Sequence, residues 1–496
     1  MAIEKIIGIE TEYGILANGT EAQYANPMTS SALLINAYLH GKRTEFDFTD
    51  ETPANDARMS NPTGAPIFPE THLVNSMLTN GARYYVDHAH PEYASPEVSN
   101  ARDAVLFDRA GEYILLNSMA EAKKLLSAGE IVVYKNNTDS KGNSYGTHEG
   151  YLVSREVEFG DIVNAVTAHF STRQLYCGAG KIGIENSSSN STEFQISQRA
   201  DFMEEHVGLE TTMKRPIVNT RDEPHAEPSK YRRLHVIVGD ANMCDFSTYL
   251  KVGTTAFILA MLEDQVPYFC DHIPILSEPV SSIRQISHDT DMKLLIPTDR
   301  GMMTALNIQE FYLEQSKKYA QQADLSIFGG ETALDILDSW EECLNQLENE
   351  PDSLFGKVDW ITKKKIIDGY ISRDGLESSS TKLAAIDVQY HDIRPEKLFG
   401  KMRSRGEITS LVSDDEVKLA ANNPPRDTRA YFRGRVLSKF ADQIHSANWD
   451  SVTFDIGDAT LKRVPTSEPS KGTIDHVEEL IENCDNAAEL VERLGA

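Results

Sequence analysis

The chain has 496 residues, 40% hydrophobic and 25% charged, with 76 acidic against 48 basic side chains and a formal charge of −28. This is globular composition, and the length allows two to four domains or one large α/β domain with an appendage. The acidic excess excludes a general nucleic-acid binder, whose surface needs clustered Lys and Arg to displace counterions.

No apolar run approaches the roughly 18 residues of a membrane span, and no secretory leader is visible, so no membrane contact is expected. The five cysteines are scattered without a CxxC pair, which argues against a disulfide framework or a zinc knuckle. A cytoplasmic protein is expected.

In chain order, short strand-like runs at 5–9, 83–87, 131–134 and 234–238 alternate with helical patterns at 31–39, 103–126, 162–170, 248–262 and 332–347. The polar, proline-containing stretch 41–79, roughly forty residues long, is too long for an ordinary connection and reads as a mobile functional loop. Residues 301–370 are helical in pattern, with Leu334, Leu337, Trp340, Leu344 and Leu347 on a core-facing stripe. Past Asn422-Asn423-Pro424-Pro425 come a strand at 451–456 and a last helix from Thr473, with Ile474, Val477, Ile481 and Cys484 on one side. Two units are expected, 1–414 and a small C-terminal domain at 415–496.

Four segments carry chemistry. On a strand with period two, Glu10 and Glu12 share a face, which suits either a solvated strand end or a cation. Arg83, Tyr85 and Asp87 share another such face. Pro91 is expected to end that strand and bring Glu92 back towards it. His148 follows a Gly/Ser/Asn loop, where it is a surface histidine or the one nitrogen ligand of an oxygen-rich metal site. Arg199, Arg215, Arg221, Arg232 and Arg233, with His225 and His235, form a basic cluster against the trend, and Arg426, Arg429, Arg433 and Arg435 form a second. Each suits an anion or ion pairs with the abundant carboxylates. Gly178-Ala179-Gly180-Lys181-Ile182-Gly183 fits GxGxxG but opens no helix and lacks a Walker loop's spacing.

Together, GIETEYG, NGARYYVDHAHPEY, YKNNTDSKGNSYGTHEGY, RPIVNTRDEPHAEPSKYRRLHVIVGDANM and NWDSVTF resemble the Pup ligase and deamidase family, relatives of glutamine synthetase. Pup is a small, acidic, disordered tag that marks proteins for the proteasome. The resemblance implies an α+β fold: a glutamine-synthetase-like large domain with an antiparallel β-sheet cradle packed by helices, plus the small C-terminal domain. The long 41–79 insert and the VDHAHPEYASPEV wording resemble the deamidase branch rather than the ligase. That branch converts the C-terminal Gln of Pup to Glu and cleaves the isopeptide bond to substrate lysines. The alternatives are the ligase itself or a non-catalytic Pup-binding protein.

The family pattern implies Asp87 as the nucleophile or general base, and Glu10, Tyr85, Glu92, His148 and His235 as Mg2+ ligands. It implies Arg83, Ser95, Trp449, Arg199 and Arg221 on the nucleotide side. ATP would be required without being consumed in each turnover. The implied partners are Pup and pupylated proteins, and the implied state is a monomer. Thr147 and Gly150 stand where the family usually has Cys and Asn, and the insert is shorter than expected.

Overall fold

The computed structural model describes residues 1–41, 43–49, 51–58, 74–185, 193–377 and 379–495. Residues 59–73 in the middle of the 41–79 insert therefore lie outside the described residues, as does the Ser/Asn run 186–192.

The architecture is α+β, built on one six-stranded antiparallel sheet. In chain order its strands are β1 (Ile7–Glu12), β2 (Asn75–Met77), β3 (Arg83–Asp87), β4 (His90–Ala94), β5 (Thr147–Ser154) and β6 (Tyr231–Val236), and in space they run β6-β5-β1-β4-β3-β2. Strand alternation divides the side chains sharply. Ile7, Ile9, Tyr84, Val86, Tyr93, Tyr151, Val153, Leu234 and Val236 all point to one side and are buried. There they meet helices α1 (Pro27–Leu39), α2 (Ala101–Leu125) and α3 (Asp245–Glu263). Removing each such side chain from water contributes about 1.5–3 kcal/mol, which fixes the register because a one-residue slip would bring every polar side chain inward.

The helices are delimited by local chemistry. Asn26 caps α1 by accepting from Met28 N at 2.9 Å, with Pro27 at the first helical position, and His40 ends it in the left-handed region. Asn100 caps α2 through Asp103 N at 2.9 Å. Further on, helix Glu331–Asn349 buries Ala333, Ile336, Leu337, Trp340, Cys343, Leu344 and Leu347. Leu334, expected on that stripe, is 53% exposed, because the buried face enters the helix through Ala333 instead.

A second hydrophobic core joins Phe46 and Met77 to Tyr431, Phe432, Val436, Leu437, Val452, Phe454, Ile481 and Leu490. Its sheet runs Lys462–Pro465, Ser451–Phe454, Ile444–Ala447 and then Glu45–Phe46, the last pair parallel. Helix Asp414–Ala420, by contrast, places Val417 and Ala420 in the first core. A division at 415 would thus separate this helix from the core it packs in, and residues 45–46 share a sheet with the C-terminal unit. The expected last helix is two, Ile474–Glu482 and Ala487–Leu494.

Candidate active site

The polar face of the sheet gathers residues from four strands. Glu10 is paired with Ala94 on one side and His148 on the other, while Glu12 is paired with Glu92. Arg83, Tyr85 and Asp87 stand opposite Ala94, Glu92 and His90, and His235 stands opposite Gly150. Glu10, Glu12, Arg83, Tyr85, Asp87, Glu92, His148, Arg233 and His235 therefore project from one surface. One local expectation changes: the hairpin turns at His88 and Ala89, ahead of Pro91, which lies inside β4 with its carbonyl accepting from Tyr13 N at 3.0 Å. His148 follows its loop as the second residue of β5, which is why it meets Glu10.

Two groups of metal-capable side chains lie on this face. In the first, Glu10, His148 and His235 bring their ligand atoms within 4.8 Å of one another. His148 Nδ1 is 3.5 Å from Glu10 Oε2, and Arg233 Nη1 donates to Glu10 Oε1 at 3.1 Å. Burial opposes charge on Glu10, yet the bond to His148 and the charge of Arg233 hold its carboxyl well below the usual range. Both ring nitrogens of His235 are buried without a hydrogen-bond partner among the described residues. Burial first, then Arg233 and Arg221, keeps that imidazole well below its ordinary value. A neutral imidazole with orphaned nitrogens facing a carboxylate fits a cation, and the two nitrogen donors make the site softer than an all-oxygen one.

The second group is Glu12, Asp87 and Glu92, again within 4.8 Å, and it is an all-oxygen donor set suited to Mg2+. Burial, followed by the charges of Asp87, Glu12 and Glu10, pushes the Glu92 carboxyl well up. Asp87 is pushed up by burial but ends below its usual value, because His88 hydrogen-bonds to it and His148 and Arg83 lie near. The Tyr85 phenol lies close to the Glu92 carboxylate. Burial first and then the Glu92 charge hold that phenol well above the ordinary value, so it stays neutral.

Beside these groups a cleft runs towards the C-terminal unit. Gly8 and Gly150, paired on adjacent strands, leave its floor without side chains, and Ser95, His225, Arg233 and Trp449 line it. Ser95 Oγ accepts from Ile9 N at 3.0 Å. Arg83 donates from Nε to Asn75 Oδ1 at 3.0 Å, and its guanidinium lies 3.8 Å from the Phe46 ring centre and 3.9 Å from that of Tyr85. Trp449 packs edge-on against Phe46 at 6.4 Å.

The basic cluster is divided rather than gathered. Arg199 is fully buried and donates to the carbonyls of Ile237 at 3.0 Å and Tyr145 at 2.7 Å; burial, then Arg215, brings it down to about 10. Arg232 points away from Arg233 and pairs with Asp222. Arg221 lies near His235 with a buried Nε that has no hydrogen-bond partner among the described residues. In the second run, Arg429 and Arg433 both pair with Glu97, and Arg435 pairs with Glu478 and Glu482.

The family pattern left Glu12 out of the ligands, although alternation had paired it with Glu10 around a possible cation, and neither reading named the third group of Glu51, Glu223 and His225 bordering the cleft. Glu12 shares the face of Glu10 by simple alternation, so its signal was present. Glu51 and Glu223 are joined only by tertiary contact, with Thr52 N donating to Glu223 Oε1. The first two GxGxxG glycines serve packing: an added Cβ at Gly178 would meet Ile196, and one at Gly180 would meet Phe194 and Trp360, whereas Gly183 has open space but a φ of +70°.

A family model described as Pup-ligase protein matches residues 5–453. The chain is 46% identical over 509 aligned positions to the "Depupylase" of Acidothermus cellulolyticus, covering 99% of each chain. It is 42% identical to the "Pup deamidase/depupylase" of Mycobacterium tuberculosis, covering 100% of this chain and 99% of that one. Among solved structures it is similar to the Pup ligase PafA in complex with ADP, with a TM-score of 0.75 at 37% identity over 82% of this chain and 89% of that one.

Proposed function

This chain belongs to the Pup-ligase protein family, and from that premise we propose that it is an ATP- and Mg2+-dependent amidohydrolase. It would deamidate the C-terminal Gln of Pup and cleave the isopeptide bond between Pup and substrate lysines. The two bonds are one chemical group, a side-chain amide, so a single centre serves both. Depupylase relatives align with the whole chain at 42–46% identity, whereas the Pup--protein ligases of Acidimicrobium ferrooxidans and Kineococcus radiotolerans align with 82% of it at 39–40%, and this favours hydrolysis over ligation.

The observation that carries the chemistry is Asp87, an ionised carboxylate at the open end of β3, 37% exposed beside Glu12 and Glu92. Either it attacks the amide carbon, forming a C–O bond as the C–N bond breaks and the amine leaves with a proton drawn from water, and water then opens the mixed anhydride to give Glu and free Asp87; or it takes a proton from a water that attacks the amide carbon and passes that proton to the departing amine. Glu10, His148 and His235 would hold one cation, and Glu12 and Glu92 a second, beside Asp87. Ser95, Arg83 and Trp449 would receive the nucleotide, and Arg221 would turn its unpartnered nitrogen towards the phosphates. Arg199 supports that wall through its carbonyl contacts, and Tyr85 orients Glu92. The bound ion and nucleotide supply positive charge and positioning at the developing oxyanion.

Asp87→Asn should abolish both deamidation of Pup and release of a Pup-conjugated protein, while equilibrium ATP binding stays close to that of the parent chain. Appreciable hydrolysis by this variant would sink the assignment. Net conjugation of Pup-Glu to a bare protein with stoichiometric ADP would reverse the direction of the reaction.

A further inference from the structure

We propose that His88 is a positioning residue for Asp87: it ties one carboxylate oxygen so that the other is presented to the scissile amide. The inference rests on the reading that Asp87 acts on substrate.

His88 is the first residue of the two-residue turn between β3 and β4, and its φ is +50°. That left-handed conformation is uncommon outside Gly, with Asn, Asp and His enriched among the rest. At this turn Nδ1 lies 3.0 Å from Asp87 Oδ2. Asp87 ends its strand on the open face and is 37% exposed, so packing alone does not fix its carboxylate torsion. The bond to its immediate neighbour supplies that constraint with little chain to order. The imidazole itself is 67% exposed, and an ion pair so open to water contributes little to stability. Its loss should therefore be read in turnover rather than in folding.

Two variants separate position from fold. His88→Gly keeps the left-handed turn and removes the donor. His88→Asn also tolerates the turn and places an amide nitrogen near the position of Nδ1. With the full chain, ATP and Mg2+, release of a Pup-conjugated protein is followed alongside thermal melting. His88→Gly is expected to lower kcat about tenfold, with KM for the conjugate and the melting temperature unchanged. His88→Asn should recover most of the lost kcat. The inference is overturned if the Gly variant stays within about twofold of the parent kcat, or if Asn does no better than Gly. Asp87→Asn run in parallel distinguishes the two failures. If it retains hydrolysis, the role of Asp87 falls and that of His88 with it. If it is inactive while His88→Gly is unimpaired, only the role of His88 falls.

Discussion

Gly146 decides where His148 can stand. A Cβ at Gly146 would lie 2.1 Å from His148 Nε2 and 2.8 Å from Cδ2 and Cε1, so the ring occupies space that any other residue would claim. Gly146→Ala should push the imidazole off Glu10 and weaken cation binding about tenfold to a hundredfold, read by Mn2+ titration with electron paramagnetic resonance. Unchanged Mn2+ affinity would remove His148 from the ligand set. Gly150 behaves differently. A Cβ there meets Arg233 Cδ at 3.5 Å, an ordinary contact, so the missing family Asn leaves open floor in the cleft rather than relieving a clash. Alternation alone placed Glu10 with Glu12, and Arg83 with Tyr85 and Asp87. It could not bring His235 to His148, because that pairing depends on the register of two strands more than seventy positions apart in sequence.

At the scale of elements, one carboxylate fastens the small unit to the sheet. Glu97, just beyond β4, receives Arg429 Nε at 2.6 Å and the Arg433 guanidinium, and Arg433 donates onward to the carbonyls of Gly81 at 2.9 Å and Trp449 at 2.9 Å. Burial opposes charge on Glu97, but the two arginines outweigh it and bring the carboxyl from 4.5 down to about 2. The folded value is depressed, so this contribution is complete above pH 4.5 and is lost as the pH falls from 4.5 towards 2. Its full size is about 3 kcal/mol by linkage. Glu97→Gln should lower the melting temperature at neutral pH by stranding two buried guanidinium groups. It should also flatten the decline between pH 4.5 and 3 relative to the parent chain, and identical acid slopes would refute the linkage. The long elements were legible in the sequence: 83–87 is a strand to the residue, and the helical patterns at 103–126 and 248–262 agree with Ala101–Leu125 and Asp245–Glu263 to within three residues. The Arg429–Arg433 run was legible as basic but not as internal, because Glu97 lies over three hundred positions away.

For the whole molecule, a charge of −28 means that the surface at large repels an acidic tag. The structure narrows the exception. Arg199 and Arg232 are buried and engaged, and Arg233 is paired with Glu10, so Arg215 and Arg221, both half-buried, are what remains of that cluster to meet a carboxylate. Binding of Pup should weaken as ionic strength rises, measured by titration at low and physiological salt. Salt-insensitive affinity would point to apolar docking instead. The strand Glu45–Phe46, parallel to Ile444–Ala447, carries a consequence for how the protein is made. During synthesis this edge, with Phe46 and Met77 beside it, leaves the ribosome about 400 residues before its partner exists. The early chain must therefore keep an unpaired strand and bare apolar side chains in waiting, until a segment translated about 400 residues later closes that sheet.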